Sequence, residues 1–188
     1  MSTLNTPTLE LRNLEVSYTV RGIDRQVLRD VSFSIAPGEA YGLVGESGCG
    51  KSTAAFAAMR YLPRNGKITA GSILFEGKNI VDIGEGDVAK LRRSAISMVY
   101  QNPATALNPT IRIGKQIAEV FELNGASKTD ALEMAEAALT KVQISDPSQV
   151  MRRYAHQLSG GMAQRVVIAM ALASNPRSTS LITKFPPP

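Results

Sequence analysis

A glycine-rich segment with a single lysine is the part of this sequence best suited to chemistry. Residues 45–53 fit the pattern G-x-x-x-x-G-K-[ST] of a phosphate-binding loop. In such a loop the backbone N–H groups point at phosphate oxygens, and the following helix N-terminus adds roughly half a positive charge. Lys51 then reaches the β and γ phosphates, and Ser52 coordinates Mg²⁺. We therefore predict a nucleotide phosphate site formed by Gly45, Glu46, Ser47, Gly48, Cys49, Gly50, Lys51, Ser52 and Thr53.

Cys49 and His156 are the only cysteine and the only histidine of the chain. Cys49 occupies a variable position of the phosphate-loop pattern and has no histidine near it in the sequence. A role as a nucleophilic or redox-active thiol is therefore not favoured. We predict that His156 serves packing or hydrogen bonding rather than catalysis.

A second segment with helix-capping chemistry reads Leu158-Ser159-Gly160-Gly161-Met162. Alone, a Ser-Gly-Gly turn at the start of a helix is as readily structural as functional. Because this one follows a phosphate-binding loop and a helical region, it resembles the LSGGQ or LSGGM signature of the ATP-binding cassette (ABC) family. The resemblance implies that Ser159, Gly160 and Gly161 bind the γ phosphate of ATP held on the opposite subunit. A second helix N-terminus would then face the same anion.

The resemblance covers residues 8–177, and shorter motifs within it indicate one subfamily. Segments 101–103, 107–109, 113–117 and 153–157 resemble the ATPase subunits of oligopeptide and dipeptide importers. The resemblance implies that Gln101 contacts Mg²⁺ and the attacking water and transmits movement to the permease. It also implies that Tyr18 stacks on adenine. From the residues alone, Gln101 also fits a solvated loop residue, and Tyr18 also fits an ordinary edge-strand residue.

The resemblance further implies cofactors, partners and a location. The cofactors are ATP and Mg²⁺, and the partners are membrane-spanning permease subunits and a second ABC ATPase subunit, identical or different. We expect a cytoplasmic protein, peripheral on the inner face of a bacterial cell membrane. Nucleic acid is not an expected partner, because the net charge of +5 comes entirely from five scattered basic residues within 147–188.

The catalytic carboxylates of the resembled family have no counterpart in this sequence. In that family an apolar strand ending in Asp-Glu, the Walker B motif, follows the signature helix. Its expected position is near residues 178–183, which read Ser-Thr-Ser-Leu-Ile-Thr, and no carboxylate side chain follows Asp146. We therefore expect a chain truncated before Walker B, without the catalytic Glu and the switch histidine. Two functions stay open: a transport-coupled ATPase subunit, or a nucleotide-binding module without hydrolytic activity.

The elements that position these residues can be predicted from apolar periodicity. Alternation of apolar and polar residues predicts three half-buried strands, and short apolar runs predict two buried ones. A segment rich in Ala and Met after the phosphate loop predicts a helix. The predicted strands are 9–20, 27–35, 71–75, 40–44 and 95–100, and the helix is 52–62.

Beyond residue 101 the periodicity becomes helical. Thr110 is the predicted cap of a helix through Phe121 that stops at Asn124-Gly125, and Ser127 with Asp130 resembles a capping box. Leu132, Ala135, Leu139 and Val142 are predicted to face the core, and two more helices are predicted over 147–157 and 161–173.

With 44% hydrophobic residues and no apolar run near the roughly 20 residues of a membrane span, we expect a globular α/β fold. The predicted fold is a P-loop NTPase core of the ABC ATPase type with an N-terminal antiparallel β subdomain and a helical insertion, incomplete at its C-terminus. The predicted domain is 1–177 with a helical subdomain at about 102–165, followed by an unmatched tail, 178–188.

Overall fold

The computed structural model describes residues 6–46, 48–100 and 102–181. Contacts between residues divide the chain into two units, Met1–Ala89 and Lys90–Pro188. Among the described residues, no helix is long and apolar enough to cross a membrane.

The first unit is built on an antiparallel sheet of four strands. These are β1 (Leu9–Val20), β2 (Ile23–Ile35), β3 (Gly66–Phe75) and β4 (Lys78–Asn79), arranged in the order β2-β1-β3-β4. The strand predicted at 9–20 is confirmed, and those at 27–35 and 71–75 are longer than predicted. The pairing register of β1 shifts near Asn13, which has a φ of 46°. Such an irregularity inserts an extra residue and keeps both Leu11 and Leu14 buried although they are three positions apart.

Two helices begin in the first unit. Helix α1 (Lys51–Ala58) packs on β1 and β2 through buried alanines, and it ends before Arg60, which has a φ of 54°. Helix α2 (Glu85–Ser94) has acidic residues in its first turn and basic residues in its last, which complements the helix dipole. Val88 is its only buried residue, so apolar periodicity could not predict this helix.

The prediction of a buried strand over residues 40–44 is wrong. The segment belongs to neither sheet of the described residues, and Val44 is 85% exposed. A strand exists only where a neighbouring strand accepts and donates its backbone hydrogen bonds, and none pairs with this segment here. Tyr41 stacks on Phe33 instead, with ring centroids 4.9 Å apart.

The second unit combines a short parallel sheet with a helical core. Strand β5 (Ile96–Val99) pairs with β6 (Ser178–Leu181), which confirms a strand within the predicted 95–100. The helices are α3 (Ile113–Leu123), α4 (Lys128–Lys141), α5 (Pro147–Arg152) and α6 (Gly160–Ala173), with short 3₁₀ turns at Pro103–Thr105 and Ala155–Gln157. Their core includes the fully buried Ile113, Ile117, Leu139, Val150 and Val166.

The helix boundaries agree with the predictions only in part. Ser127 caps α4 as predicted, because its Oγ accepts a hydrogen bond from the Asp130 N–H. Thr110 is not the cap of α3, since its N–H and its hydroxyl both donate to Asn108 Oδ1 in the preceding loop, and Arg112 takes the cap position. Leu132 is 46% exposed, because Ala131 rather than Leu132 faces the core on α4.

Candidate functional site

The phosphate-loop residues connect the segment 40–44 to α1. Gly50 is the N-cap of α1 with a φ of 95°, a left-handed conformation that glycine adopts without strain. A methyl group on Gly50 would lie 2.8 Å from Leu28 Cδ2, so the end of the loop sits directly against β2. Ser47, which was predicted to belong to this loop, lies outside the described residues.

The ammonium group of Lys51 lies at the centre of the loop. Its Nζ donates to the Gly45 carbonyl at 2.7 Å and to the Glu46 carbonyl at 2.5 Å, and it lies 3.3 Å from the Cys49 Sγ. These contacts hold the one positive side chain of the loop at the start of α1. Phosphate oxygens could replace the carbonyl acceptors with stronger, charge-assisted hydrogen bonds.

The first turn of α1 presents backbone donors beside this ammonium group. The first helical hydrogen bond runs from the Ala54 N–H to the Gly50 carbonyl at 2.9 Å, so the N–H groups of Lys51, Ser52 and Thr53 have no acceptor within the helix. The turn contains no acidic residue, and no side chain caps it. This arrangement is suited to an anion, because the helix dipole and the donors have the same polarity.

The first turn of α1 offers hydroxyl groups as oxygen ligands for a metal ion. The described residues contain no cluster of three or more His, Cys, Asp or Glu side chains that could hold a metal by themselves. Ser52 is exposed in the first turn of α1, next to Lys51. An oxygen ligand of this kind fits Mg²⁺, which proteins often bind through few side chains together with nucleotide phosphates. Gln101, the other predicted ligand, lies outside the described residues.

Tyr18 lies on the same unit as the phosphate loop. It is half-buried on β1, where it pairs with Arg25 of β2 and Gly66 of β3. Val16 pairs with Leu28, the residue that the loop contacts through Gly50. Because a strand rises about 3.3 Å per residue, Tyr18 lies roughly 7 Å along β1 from that contact. The structure thus brings the predicted base-stacking residue close to the predicted phosphate site.

An exposed ion pair joins β2 and β3, the two strands that flank β1. Asp24 accepts hydrogen bonds from the Lys67 ammonium and from the Thr19 hydroxyl. The Lys67 bond is the main reason that the pKa of Asp24 is below its usual value, and the Thr19 bond adds to it. The ion pair and the Thr19 hydroxyl therefore stabilise the ionised form of this carboxyl group.

The signature residues begin α6 in the second unit. Ser159 is the N-cap, its Oγ accepts a hydrogen bond from the Met162 N–H at 3.3 Å, and Gly160 and Gly161 form the first turn. All three are exposed, which leaves the N-terminus of α6 accessible. Ser159 and Gly161 also border an open cleft of about 500 Å³, which is lined as well by Arg165 of the same helix and by residues 143–146.

One prediction remains, for His156, and one residue near Tyr18 was not predicted. The His156 ring stacks on Tyr154 with centroids 5.7 Å apart, which confirms a packing role. Gly66 was not singled out, although it lies against the ring of Tyr18. That contact follows from the pairing of β1 with β3, and the register of such a pairing cannot be predicted from a single sequence.

The chain matches the family described as ABC transporter over residues 28–181. That match extends to the end of β6, beyond the predicted boundary at residue 177, and residues 182–188 lie outside the described part of the chain.

Curated relatives are similar to most of this chain. The oligopeptide transport ATP-binding protein OppD of Escherichia coli (strain K12) is 42% identical over 170 residues, covering 90% of this chain and 50% of the relative. The dipeptide transport ATP-binding protein DppD of Lactococcus lactis subsp. cremoris (strain MG1363) is 43% identical over 170 residues, covering 89% and 49%. The chain therefore spans about half the length of these curated relatives.

Solved structures share the fold. The dimeric structure of MJ0796, a bacterial ABC transporter cassette, is similar with a TM-score of 0.79 at 25% sequence identity, covering 92% of this chain and 72% of that one. CbiO1 from Clostridium perfringens, part of the ABC transporter complex cbiONQ, is similar with a TM-score of 0.75 at 25% identity, covering 94% and 65%.

Proposed function

The chain belongs to the ABC transporter family, and from this premise we propose that it is an ATP-binding subunit of a peptide importer. The family and fold class predicted from the motifs are confirmed by the family match and the structural neighbours. Peptide as the transported class is supported by the relatives, which are oligopeptide and dipeptide transport ATP-binding proteins. In this proposal the chain couples ATP binding to transport through a separate membrane permease.

One observation carries the nucleotide-binding part of the proposal. The Lys51 ammonium and the first-turn N–H groups of α1 converge on one exposed loop, and the loop packs on the strand pair that also carries Tyr18. Positive charge, backbone donors and an aromatic ring are the three features that triphosphate and base recognition require.

Each predicted site residue has a role in this proposal. Lys51 and the loop backbone hold the β and γ phosphates, and the Tyr18 ring stacks on adenine. Ser52, with Gln101, would hold Mg²⁺, which when bound neutralises charge on the phosphates. Ser159, Gly160 and Gly161 would present the N-terminus of α6 to a nucleotide on a second ABC subunit.

The proposed location and partners follow from the transport function. The subunit would act on the inner face of a bacterial cell membrane, bound to membrane-spanning permease subunits and to a second ATPase subunit of the same or a different kind. The dimeric structure of the related cassette supports the second subunit. The basic residues after Asp146 are scattered, which disfavours a nucleic-acid partner.

Titration with a fluorescent ATP analogue in the presence of Mg²⁺ tests the proposal. Lys51→Ala should weaken binding about tenfold or more, because charge-assisted hydrogen bonds contribute about 1.5–3 kcal/mol. Lys78→Ala, which removes an exposed lysine of β4 in the same unit, is the matched control for net charge. Equal affinities of the wild-type and Lys51→Ala proteins would refute the proposed site.

A second candidate function is nucleotide binding without hydrolysis. Strand β6 occupies the position expected for the Walker B strand, yet it reads Ser-Thr-Ser-Leu, and no acidic side chain follows Asp146. The loss of a general base alone lowers a rate by about 10²–10⁴-fold. We expect this chain to release phosphate from Mg-ATP at least that much more slowly than the Escherichia coli relative under the same conditions. Lys51-dependent release at the relative's rate would exclude this candidate.

A further inference from the structure

We propose that Gly66 is a positioning residue for nucleobase binding, because it sets where the ring of Tyr18 lies. The inference rests on the proposed nucleotide-binding function and adds a residue outside the phosphate loop and the signature. The ligand concerned is a nucleoside triphosphate, and the part of it affected is the base.

The ring of Tyr18 occupies the space that a side chain at position 66 would need. A methyl group on Gly66 would lie 2.7 Å from Tyr18 Cε1 and 3.1 Å from Tyr18 Cδ1. It would also lie 3.3 Å from Leu62 Cβ, which closes the other side. At 2.7 Å carbon atoms overlap strongly, so a larger residue at position 66 requires a movement.

The ring moves more easily than the strand, because the backbone here is held on both sides. The Thr19 N–H donates to the Asn65 carbonyl at 2.8 Å, and Asn65 Nδ2 donates to the Thr19 carbonyl at 3.3 Å. The Gly66 N–H donates to the Pro63 carbonyl at 2.8 Å. These bonds fix the position of residue 66 relative to β1. A methyl group therefore displaces the Tyr18 ring by rotation about its side-chain torsions.

The backbone conformation of Gly66 does not itself require glycine. Gly66 is not among the residues with a positive φ, so alanine can adopt its backbone angles without strain. Glycine is required here by close approach, most severely to the ring of Tyr18 and less so to Leu62 Cβ. Substitution thus acts on the ring, and a displaced ring loses the parallel contact on which base stacking depends.

A comparison of two ligands separates the base from the phosphates. We would measure the affinities of Mg-ATP and of inorganic triphosphate, which has no base, for the wild-type protein and for Gly66→Ala. Gly66→Ala should lower the affinity for Mg-ATP by at least about threefold. The upper limit is the loss of affinity caused by Tyr18→Ala, which is roughly 5- to 100-fold. Triphosphate should bind both proteins equally within about twofold. Gly86→Ala, where nothing lies within 4 Å of the added methyl group, is the matched control and should change neither affinity.

A double substitution tests whether Gly66 acts through Tyr18. In the Tyr18→Ala background, Gly66→Ala should have no further effect on Mg-ATP, because the clash and the stack are both absent. Where Gly66→Ala does not give a cooperative thermal melt, Asn65→Ala takes its place. Asn65→Ala removes one of the hydrogen bonds that fix residue 66 relative to β1. It should therefore lower the affinity for Mg-ATP and leave the affinity for triphosphate unchanged.

Three results would overturn the inference. The first is wild-type affinity of the folded Gly66→Ala protein, or of its substitute Asn65→Ala, for Mg-ATP. The second is an equal loss of ATP and triphosphate binding, and the third is an undiminished effect of Gly66→Ala in the Tyr18→Ala background. If the wild-type protein binds neither ligand in a Lys51-dependent way, the proposed function fails and the inference fails with it.

Discussion

Replacement of Gln116 by methionine should destabilise the second unit through the loop that precedes α3. Gln116 is 5% exposed, although it is polar. Its Nε2 donates to the Asn108 carbonyl at 3.0 Å and to the Ile111 carbonyl at 2.7 Å, and its Oε1 accepts from the Asn108 N–H at 2.8 Å. One side chain therefore binds both ends of the turn over residues 108–111. Methionine keeps the volume and removes all three hydrogen bonds.

The magnitude follows from the number of bonds and from their exposure. A protein hydrogen bond contributes about 0.5–1.5 kcal/mol net, so three of them give about 1.5–4.5 kcal/mol. Asn108 itself is exposed, so water can form hydrogen bonds with its N–H and carbonyl groups when their bonds to Gln116 are lost. We therefore expect the free energy of unfolding to fall by about 2–3 kcal/mol.

Urea denaturation of Gln116→Met measures this loss. The matched control is Glu119→Met, an exposed position on the same helix, which should change the free energy of unfolding by no more than about 0.5 kcal/mol. The slope of the unfolding free energy with urea should stay constant, because the exposed surface area on unfolding does not change. A loss below about 1 kcal/mol at constant slope would refute the reasoning, since the three bonds would then contribute no more than water does.

Two further predictions concern charge and helix capping. The pKa of Asp24 is held below its ordinary value of 3.8, mainly by Lys67 and then by Thr19. This carboxylate therefore stabilises the fold above its unfolded pKa, and that stabilisation is lost as the pH falls through the lower folded pKa. As the pH falls from about 6 to 2, the melting temperature should decrease less steeply for Asp24→Asn than for the wild-type protein. Parallel curves of melting temperature against pH would contradict this. Ser159→Ala should destabilise the protein by about 0.5–2 kcal/mol and Ser159→Thr less, because only alanine removes the cap of α6. Mg-ATP affinity of the monomeric Ser159→Ala protein should stay at the wild-type value, and a large decrease would show that the signature contacts the nucleotide of its own chain.

Features that depend on local chemistry can be predicted from the sequence alone. Glycine spacing and one lysine predict the phosphate loop, and Ser127 three residues before Asp130 predicts the start of α4, which the structure confirms. The N-cap role of Ser159 is likewise visible in five consecutive letters. Such features are readable because steric limits on backbone angles and contacts between residues three or four apart decide them.

Which segments find pairing partners depends on the tertiary fold. Residues 40–44 have the composition of a buried strand, yet they form none, because no described strand pairs with them. Thr110 has a side chain suited to a helix cap, but its hydroxyl donates to the Asn108 side chain instead. Gln116 is buried because loop carbonyl groups accept its hydrogen bonds. Gly66 meets Tyr18 through the register of β1 with β3. Each outcome depends on hydrogen bonds between atoms that chain folding brings together, and hydrophobic periodicity carries no information about such pairings.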